Sequence, residues 1–421
     1  MLHRLCLLLL LAIAAALSNS AHAQEWTRFR GPNGAGQSDS AGIPTEFSAT
    51  DNTWRIELPG IGHSSPVLWG EKLFLTSGDP AGGDQYVMCI DAITGRNIWT
   101  RTVPSEPHHL HERNSFASGT PAVDDQRLYL AWATPDSYKL MAMSHEGEEV
   151  WQRDLGPFVS QHGFGTSPIV YGEMLIISND QREGGESFLL AVDRKTGETR
   201  WKTPRPSREA AYSTPCVRTT PDGSEELIFN SGAAGIAGVD PATGAINWNI
   251  EVFEMRSVSS PVLAGDLIFG SCGSGAGGNY VVAVRPGDKS GTAAKIAYRV
   301  AESAPYVPTS VVAGERAFLW WDKGAVTCID IADGKVHYKN RVPGGYSGSP
   351  VRVGSRIFCI NDDGEVIVLA AEPEFKVLAR NSLGDYSRAT PSIALGRMYL
   401  RTYSSLVCIG GEPSAETAAG K

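Results

Sequence analysis

Histidines in three separate segments are the residues of this chain whose types could do chemistry. Imidazole binds metal ions and moves protons near neutral pH. No carboxylate stands at a spacing that would fix a metal geometry with them, so two interpretations stay open. The imidazoles converge on a metal or proton-transfer site, or each one bonds a backbone carbonyl and shapes its loop. The segments are "GIGHSSPV" with His63, "PHHLHERN" with His108, His109, His111, Glu112 and Asn114, and "QHGFG" with His162.

Other motifs that carry chemistry are absent or incomplete. The cysteines form no Cys-x-x-Cys pair for zinc and no Cys-x-x-Cys-His for haem. "GPNGAGQS" lacks the lysine of a phosphate loop and contains Pro32, so it indicates a capping turn. "NDQREGGE" and "NDDGE" do not continue into a twelve-residue calcium loop. The sequence therefore does not point to a catalytic centre by motif alone.

A repeated hairpin motif in the sequence indicates the β-strands that must position the histidine-containing segments. The phrase ends a strand in Asp, has Gly four residues later, and reaches an aromatic residue after four more. The Asp side chain can cap the turn and Gly supplies a positive φ. The copies are "MCIDAITGRNIW", "LLAVDRKTGETRW", "AGVDPATGAINW" and "TCIDIADGKVHY", with Asp91, Asp193, Asp240 and Asp330 and with Gly95, Gly197, Gly244 and Gly334.

A second motif, a small polar residue followed by Pro and a strand of alternating polarity, precedes each hairpin. The number of its copies gives the number of repeat units. Pro at the first residue of a strand costs no ladder hydrogen bond. Units of about 40 to 50 residues with four strands indicate propeller blades. The eight anchors are Pro66, Pro121, Pro168, Pro215, Pro261, Ser310, Pro350 and Pro391.

The two ends of the repeat array complement each other. The eighth unit ends at "SSLVCIGGEP" without an outer strand, whereas "NTWRIELPG" carries Trp54 with no unit before it. Pairing them removes two open sheet edges. The predicted fold class is an all-β, eight-bladed propeller of four-stranded blades, closed by an N-terminal strand. The aromatics predicted to dock each blade on the next are Trp54, Trp99, Trp151, Trp201 and Trp248, with Tyr298 and Tyr338 in the same slot.

Composition and the N-terminus restrict location and partners. The first 23 residues have an apolar run and end in Ala-His-Ala, which predicts a secretory signal cleaved after Ala23 and a periplasmic or secreted protein without a membrane span. The net charge of −9 argues against nucleic acid as a partner. The expected organisation is a signal peptide (1–23), an N-terminal extension (24–51), the propeller (52–410) and a disordered tail (411–421). Most of the cysteines lie at equivalent positions of apolar strands in different repeats, so they are predicted to be buried thiols that pack as small hydrophobes and not disulfides.

The repeats resemble the pyrroloquinoline-quinone-type (PQQ-type) propeller repeat, with its Ala-x-Asp-x-x-Thr-Gly-x-x-x-Trp hairpin. One branch of that family, the quinoprotein dehydrogenases, implies PQQ and calcium on the ring axis. The other, BamB-like branch implies binding of other proteins. The chain looks more like the second branch and like exported PQQ-like propellers of planctomycete-type bacteria, which open with phrases similar to "WTRFRGPNGAGQS". It lacks the adjacent cysteine pair of many of the dehydrogenases, and it lacks a lipobox cysteine.

In a propeller, the loops that lead into the inner strands gather around the axis on one face. Reading back from each anchor places Phe116, Phe164 and Tyr346 on this rim beside the ligand-binding candidates. The leading hypothesis is a non-catalytic, monomeric scaffold for a protein or a small polar or glycan ligand, without a cofactor. The alternatives are a PQQ- and calcium-dependent oxidoreductase acting on alcohols or sugars, and a carbohydrate-binding propeller that stacks sugars on Tyr212, Tyr306 and Tyr346. The candidates are His63, His111, Asn114, His162, Tyr212, Arg256, Tyr306 and Arg388, of which His63, His111 and His162 are also the metal candidates.

Overall fold

The computed structural model describes residues 26–411, and the predicted signal peptide and most of the predicted tail lie outside this range. Antiparallel strands form eight sheets, one for each predicted unit, which confirms the all-β, eight-bladed fold. Blades 1 to 4 consist of Val67–Trp69, Lys72–Gly78, Gln85–Asp91 and Asn97–Val103; Ala122–Val123, Arg127–Ala133, Tyr138–Ser144 and Glu149–Asp154; Ile169–Tyr171, Met174–Asn179, Ser187–Asp193 and Thr199–Arg205; and Cys216–Thr219, Glu225–Ser231, Gly235–Val239 and Ile246–Ile250.

The remaining four blades follow in the same order from the inner to the outer strand. Blades 5 to 8 consist of Val262–Ala264, Leu267–Cys272, Tyr280–Arg285 and Lys295–Val300; Val311–Ala313, Arg316–Trp321, Ala325–Asp330 and Val336–Arg341; Val351–Val353, Arg356–Ile360, Glu365–Ala370 and Val377–Ser382; and Ser392–Ala394, Arg397–Arg401, Ser405–Gly410 and Trp54–Glu57. The last of these strands comes from the N-terminal side of the chain. It runs antiparallel to Ser405–Gly410 with Trp54 opposite Cys408, which confirms the predicted closure.

The hairpin phrase works as a joint between blades. The Asp91 side chain accepts hydrogen bonds from the Ile93 and Thr94 backbone at 3.0 and 2.9 Å, which fixes the turn. Gly95 has a φ of 76°, and a Cβ on it would lie 2.7 Å from the Trp54 ring of the preceding blade. The hairpin glycine is therefore needed both for its backbone conformation and for the space that it leaves.

Most of the docking aromatics add a hydrogen bond to this contact. The Trp54 indole Nε1 donates to the Ala92 carbonyl of blade 1 at 3.2 Å. Trp248 differs, because its Nε1 donates to the Glu226 carboxylate of its own blade at 3.1 Å. The equivalent bonds to the next hairpin run from Trp99 to His145, from Trp151 to Arg194, from Trp201 to Pro241 and from Tyr298 to Ile331.

A belt of hydroxyl groups links the inner strands around the axis. At seven of the eight anchors, the small polar residue before the anchor accepts a hydrogen bond from the backbone N–H of its counterpart in the preceding blade. Because each such oxygen already accepts this bond, its own O–H is left to donate elsewhere. The bonded pairs are Ser65–Thr120, Thr120–Ser167, Thr214–Ser260, Ser260–Thr309, Thr309–Ser349, Ser349–Thr390 and Thr390–Ser65.

The segment 26–38, here called the plug, closes the centre of the ring on the side of the inner strands' C-terminal ends. The Trp26 carbonyl accepts from Leu68 of blade 1, and Gly36 and Ser38 accept from blade 7 at Arg352 and Gly354. Gln37–Ser38 pairs in parallel with the inner strand of blade 7. The N-terminal extension thus includes a segment that contacts the inner strands of more than one blade.

The core lies between neighbouring sheets, where apolar side chains of the two middle strands of each blade are almost fully buried. The six described cysteines are free and buried, as predicted for thiols that pack like small hydrophobes. Burial raises the pKa of the Cys89 thiol to about 12. Within residues 26–411 no helix is long and apolar enough to cross a membrane.

Candidate functional site

A cavity of about 520 Å³ occupies the axis between the plug and the opposite face, on which the blade-connecting loops converge. The eight ligand-binding candidates predicted from the sequence all line it. The connecting loops of seven different blades bring these residues together, because each loop turns inward just before its anchor. The lining candidates are His63, His111, Asn114, His162, Tyr212, Arg256, Tyr306 and Arg388.

The rim prediction is wrong for Tyr346, one of the three tyrosines predicted to stack on sugars in the carbohydrate-binding alternative. This residue is fully buried, with its ring 5.3 Å from that of Trp320, because its N–H is tied to the Asp322 carbonyl. Phe164 also faces inward and packs on Phe158 and Tyr138. Phe116 makes an edge contact with the His108 ring and does not line the cavity.

Arg256 is the principal cation of the cavity. Its side chain is held by Nε, which donates to the Ala210 carbonyl at 3.1 Å, and by Nη1, which lies 3.2 Å from His162 Nε2 and 3.5 Å from the Tyr306 hydroxyl. Arg256 is 7% exposed, and none of the ion pairs within residues 26–411 involves it. A fixed guanidinium without a protein carboxylate can bind a carboxylate or phosphate group of a ligand.

His162 is held as a neutral imidazole beside this guanidinium. Burial, followed by the charge of Arg256 and then by His111, lowers the pKa of His162 to about 4. Its Nε2 accepts the hydrogen bond from Arg256, which places the ring proton on Nδ1. The His111 ring stacks on it with centroids 4.6 Å apart. Arg256 and these two histidines therefore form one rigid wall of the cavity.

A second cationic region lies on the wall formed by blades 8 and 1. Arg388 Nη1 donates to the Glu112 carbonyl at 3.0 Å and to the Tyr403 hydroxyl at 3.3 Å. Burial, followed by the charges of Arg401 and Arg388, lowers the pKa of His63 to about 3. Burial is the larger cause of the low pKa values of both His63 and His162, and the neighbouring guanidinium groups lower them further.

The loop from residue 104 to residue 114 crosses one side of the opening. Arg113 Nη2 lies 2.8 Å from the Asp362 carboxylate and 2.9 Å from the Ser347 hydroxyl, both on blade 7. On blade 3, Asn114 Nδ2 donates to the His162 carbonyl at 2.5 Å. The histidine-rich segment therefore bridges connecting loops of several blades, and only some of its histidines face the cavity.

The oxygen donors of the cavity can be compared with those that a PQQ–calcium site requires. Calcium takes six to eight oxygen ligands, among them carboxylates. Both oxygens of Asp322 already accept backbone N–H bonds, from Tyr306 at 2.6 Å and from Val307 at 2.8 Å, and Glu254 lies 3.6 Å from Arg299. No three His, Cys, Asp or Glu residues between 26 and 411 lie close enough to hold a metal ion. The residues present do not fit a calcium-supported quinone, and His63, His111 and His162 do not converge on one point.

Several lining residues were missed at the level of sequence. Asp322 and Lys323 come directly after Arg316–Trp321, the second strand of blade 6, and Phe29 belongs to the plug. The belt hydroxyls that face the cavity had a usable signal, since each is the small polar residue before an anchor. These are Ser167, Thr214, Thr309, Ser349 and Thr390. Phe29 had no comparable signal, because its segment is not part of a repeat.

These features define a class: an eight-bladed PQQ-like propeller with a blind, ligand-sized axial cavity. The family model described as outer membrane protein assembly factor BamB matches residues 83–297 and 295–373, and the chain belongs to that family. No curated protein sequence matches the chain.

Solved structures share the fold at low sequence identity. BamB from Moraxella catarrhalis is similar with a TM-score of 0.62 and 15% identity, covering 85% of this chain and 99% of that one. The quinohemoprotein alcohol dehydrogenase from Comamonas testosteroni has a TM-score of 0.64 and 14% identity, covering 93% and 81%. A europium-containing methanol dehydrogenase has a TM-score of 0.62 and 11% identity, covering 90% and 96%. At these identities the similarity shows the fold alone.

Proposed function

We propose that this protein is an exported, non-catalytic binding protein whose axial cavity takes a small, oxygen-rich anion. The observation that carries this proposal is Arg256, a nearly buried guanidinium that faces the cavity without a protein carboxylate. An unpaired buried charge is costly, and a ligand anion would remove that cost. The belt hydroxyls add donors around the same space.

Binding without catalysis is supported by the way in which two titratable groups of the cavity, His162 and Asp322, are held. His162 Nε2 is engaged by Arg256, and both Asp322 oxygens accept backbone N–H bonds. Neither group presents an unengaged atom to abstract a proton from a ligand, which general acid–base catalysis requires. Export is supported by the N-terminal signal pattern in the sequence.

Isothermal titration with citrate, inorganic phosphate and glucose 6-phosphate, with glucose as the uncharged control, tests the proposal. At least one anion should bind with one-to-one stoichiometry, and Arg256→Gln should weaken it by about tenfold or more, as expected for a charge-assisted hydrogen bond. Arg285→Gln is the matched control, because Arg285 lies on the outside of blade 5 in an exposed ion pair with Asp266. Binding of glucose alone would favour the carbohydrate-binding alternative.

A titration with PQQ, with and without calcium and followed by tryptophan fluorescence, tests the oxidoreductase alternative. Saturable quenching near one equivalent that depends on calcium would contradict the proposal. Quenching that is independent of calcium and lost in Arg256→Gln would place PQQ among the anions that the cavity accepts.

A further inference from the structure

We propose that the N-terminal plug is part of the ligand site, with Phe29 as the residue that sets the depth of the cavity and so the length of the ligand. This inference rests on the proposed function, since it deepens the description of the same cavity. Phe29 is a specificity-determining residue in this proposal and takes no chemical role. The observations that carry it are the position of Phe29, the anchoring of its two neighbours and the strain stored in the plug.

Phe29 is the plug residue that lines the axial cavity, and its two neighbours are fixed on different blades of the ring. The Arg28 guanidinium donates to the Pro215 carbonyl of blade 4. Arg30 Nη1 donates to Thr309 and Pro350 at 3.1 and 3.0 Å, on blades 6 and 7. With both flanking side chains held outward in this way, the Phe29 ring remains on the axis under the ligand space.

The plug backbone is held in an unusual conformation. Arg30 has a φ of 62°, in the left-handed region that non-glycine residues seldom adopt, and Gly31 and Gly36 have φ values of 66°. A Cβ on Gly31 would lie 2.4 Å from the Trp26 ring, and one on Gly36 would lie 2.5 Å from Arg30 Nη2. Strain of this kind persists where the surroundings over-determine it, and it is common at ligand clamps.

The floor and the wall of the cavity differ in chemistry, and this difference indicates which chemical groups the ligand carries. The wall offers the Arg256 guanidinium and the belt hydroxyls of Thr214 and Thr309, whereas the floor is the apolar ring of Phe29. A ligand that satisfies both carries an anionic group at the height of Arg256 and a flat or apolar end that rests on Phe29. Entry takes place from the opening side, because the plug closes the other side.

Thiol accessibility tests the position of Phe29 directly, because the six described native cysteines are buried. Phe29→Cys is treated with an anionic sulfonatoethyl and a cationic trimethylammonioethyl methanethiosulfonate, and the labelling of the wild-type chain is subtracted. Ala293→Cys, on the exposed extension of blade 5, gives the reference ratio of the two rates. We expect the Phe29→Cys thiol to favour the anionic reagent by about tenfold over that reference, since a cationic cleft concentrates anions. No labelling, or a ratio equal to the reference, would overturn the proposal.

A size series then tests the role of Phe29 in specificity. Benzoate, 2-naphthoate and biphenyl-4-carboxylate are titrated into the wild type, Phe29→Leu and Phe29→Ala, and circular dichroism confirms that each variant is folded. We expect Phe29→Ala to improve the affinity for biphenyl-4-carboxylate relative to benzoate by about tenfold, with Phe29→Leu between the two. The same ranking in all three proteins would overturn this inference and leave the proposed function standing. If no anion binds the wild type while the Phe29→Cys thiol still favours the anionic reagent, Phe29 lies at the floor but the proposed function fails.

Discussion

The outer joints of the ring and its centre are stabilised in opposite ways. At the outer joints, one hairpin contact recurs from blade to blade, with an aromatic ring seated on a glycine of the next blade, as for Trp54 and Gly95 or Trp151 and Gly197. At the centre, a single plug contacts different blades through side chains that occur once. Because the joint contact is repeated, each joint makes one of several similar contributions to the stability of the ring. The plug and the cavity depend on individual residues. Stability is therefore distributed around the ring, and specificity is concentrated on its axis.

The closing joint is the exception among the repeated ones, because it links the two ends of the chain. Trp54→Ala should lower the free energy of unfolding by about 3 to 5 kcal/mol, as for other large buried aromatics. Trp54→Phe retains the ring contact but loses the bond to the Ala92 carbonyl, and it should cost about 1 kcal/mol. Urea denaturation measures both, and a change within about 0.5 kcal/mol for Trp54→Ala would mean that closure adds little stability.

The anchor of the plug should give the next largest effect. Arg30→Met retains a long side chain but leaves the Thr309, Ser310 and Pro350 carbonyls without their donor. Because buried acceptors without partners cost about 1 to 3 kcal/mol each and some recover water, we expect a loss of about 2 to 4 kcal/mol by urea denaturation. Hydrogen exchange should show the plug losing protection more than the blades. Equal loss throughout the ring would contradict a local anchoring role.

A pair of glycine substitutions separates docking from backbone strain. Gly95→Ala and Gly70→Ala both place a side chain at a positive φ, of 76° and 57°, but only Gly95 has a neighbouring ring, whereas nothing lies within 4 Å of a Cβ on Gly70. Gly70→Ala should cost about 1 kcal/mol from strain alone. Gly95→Ala should cost about 1 to 3 kcal/mol more, because the Trp54 ring must move. Similar thermal melting temperatures for the two variants would show that the joint adapts without cost.

The smallest expected effect is the dependence of stability on pH at the axis. The folded-state pKa of His63 is lowered to about 3 by burial and by Arg401 and Arg388, below its unfolded value. The unfolded chain therefore binds the proton more readily, so this contribution is present above the unfolded pKa of about 6.5 and is lost as the pH falls towards the folded pKa. Between pH 8 and pH 6 the loss should be about 1 kcal/mol. His63→Gln should show a smaller decrease over this range than the wild type, and an identical decrease would contradict the assignment.

Much of the ring could be predicted because each blade repeats the same local chemistry. The Asp and Gly of each hairpin specify a turn within a few residues, and the anchor phrase marks each inner strand, so the number of blades and the closure at Trp54 followed from counting. The eight cavity residues were also accessible, because the fold brings every connecting loop to one face. Tyr346 was misplaced because the direction of a side chain depends on its own loop, and the N–H bond to Asp322 turns that loop inward.

The architecture could be read from the amino-acid sequence, since turns, strand periodicity and glycine spacing are local properties that recur along the chain. Three features required the folded structure: the belt formed by Ser65 and its counterparts, the position of Phe29 under the cavity, and the hydrogen bond between Arg256 and His162. Each of these contacts joins residues far apart in the chain, and each occurs once or depends on ring closure. Local patterns do not encode such distances, so these particular contacts became visible only when the ring was closed.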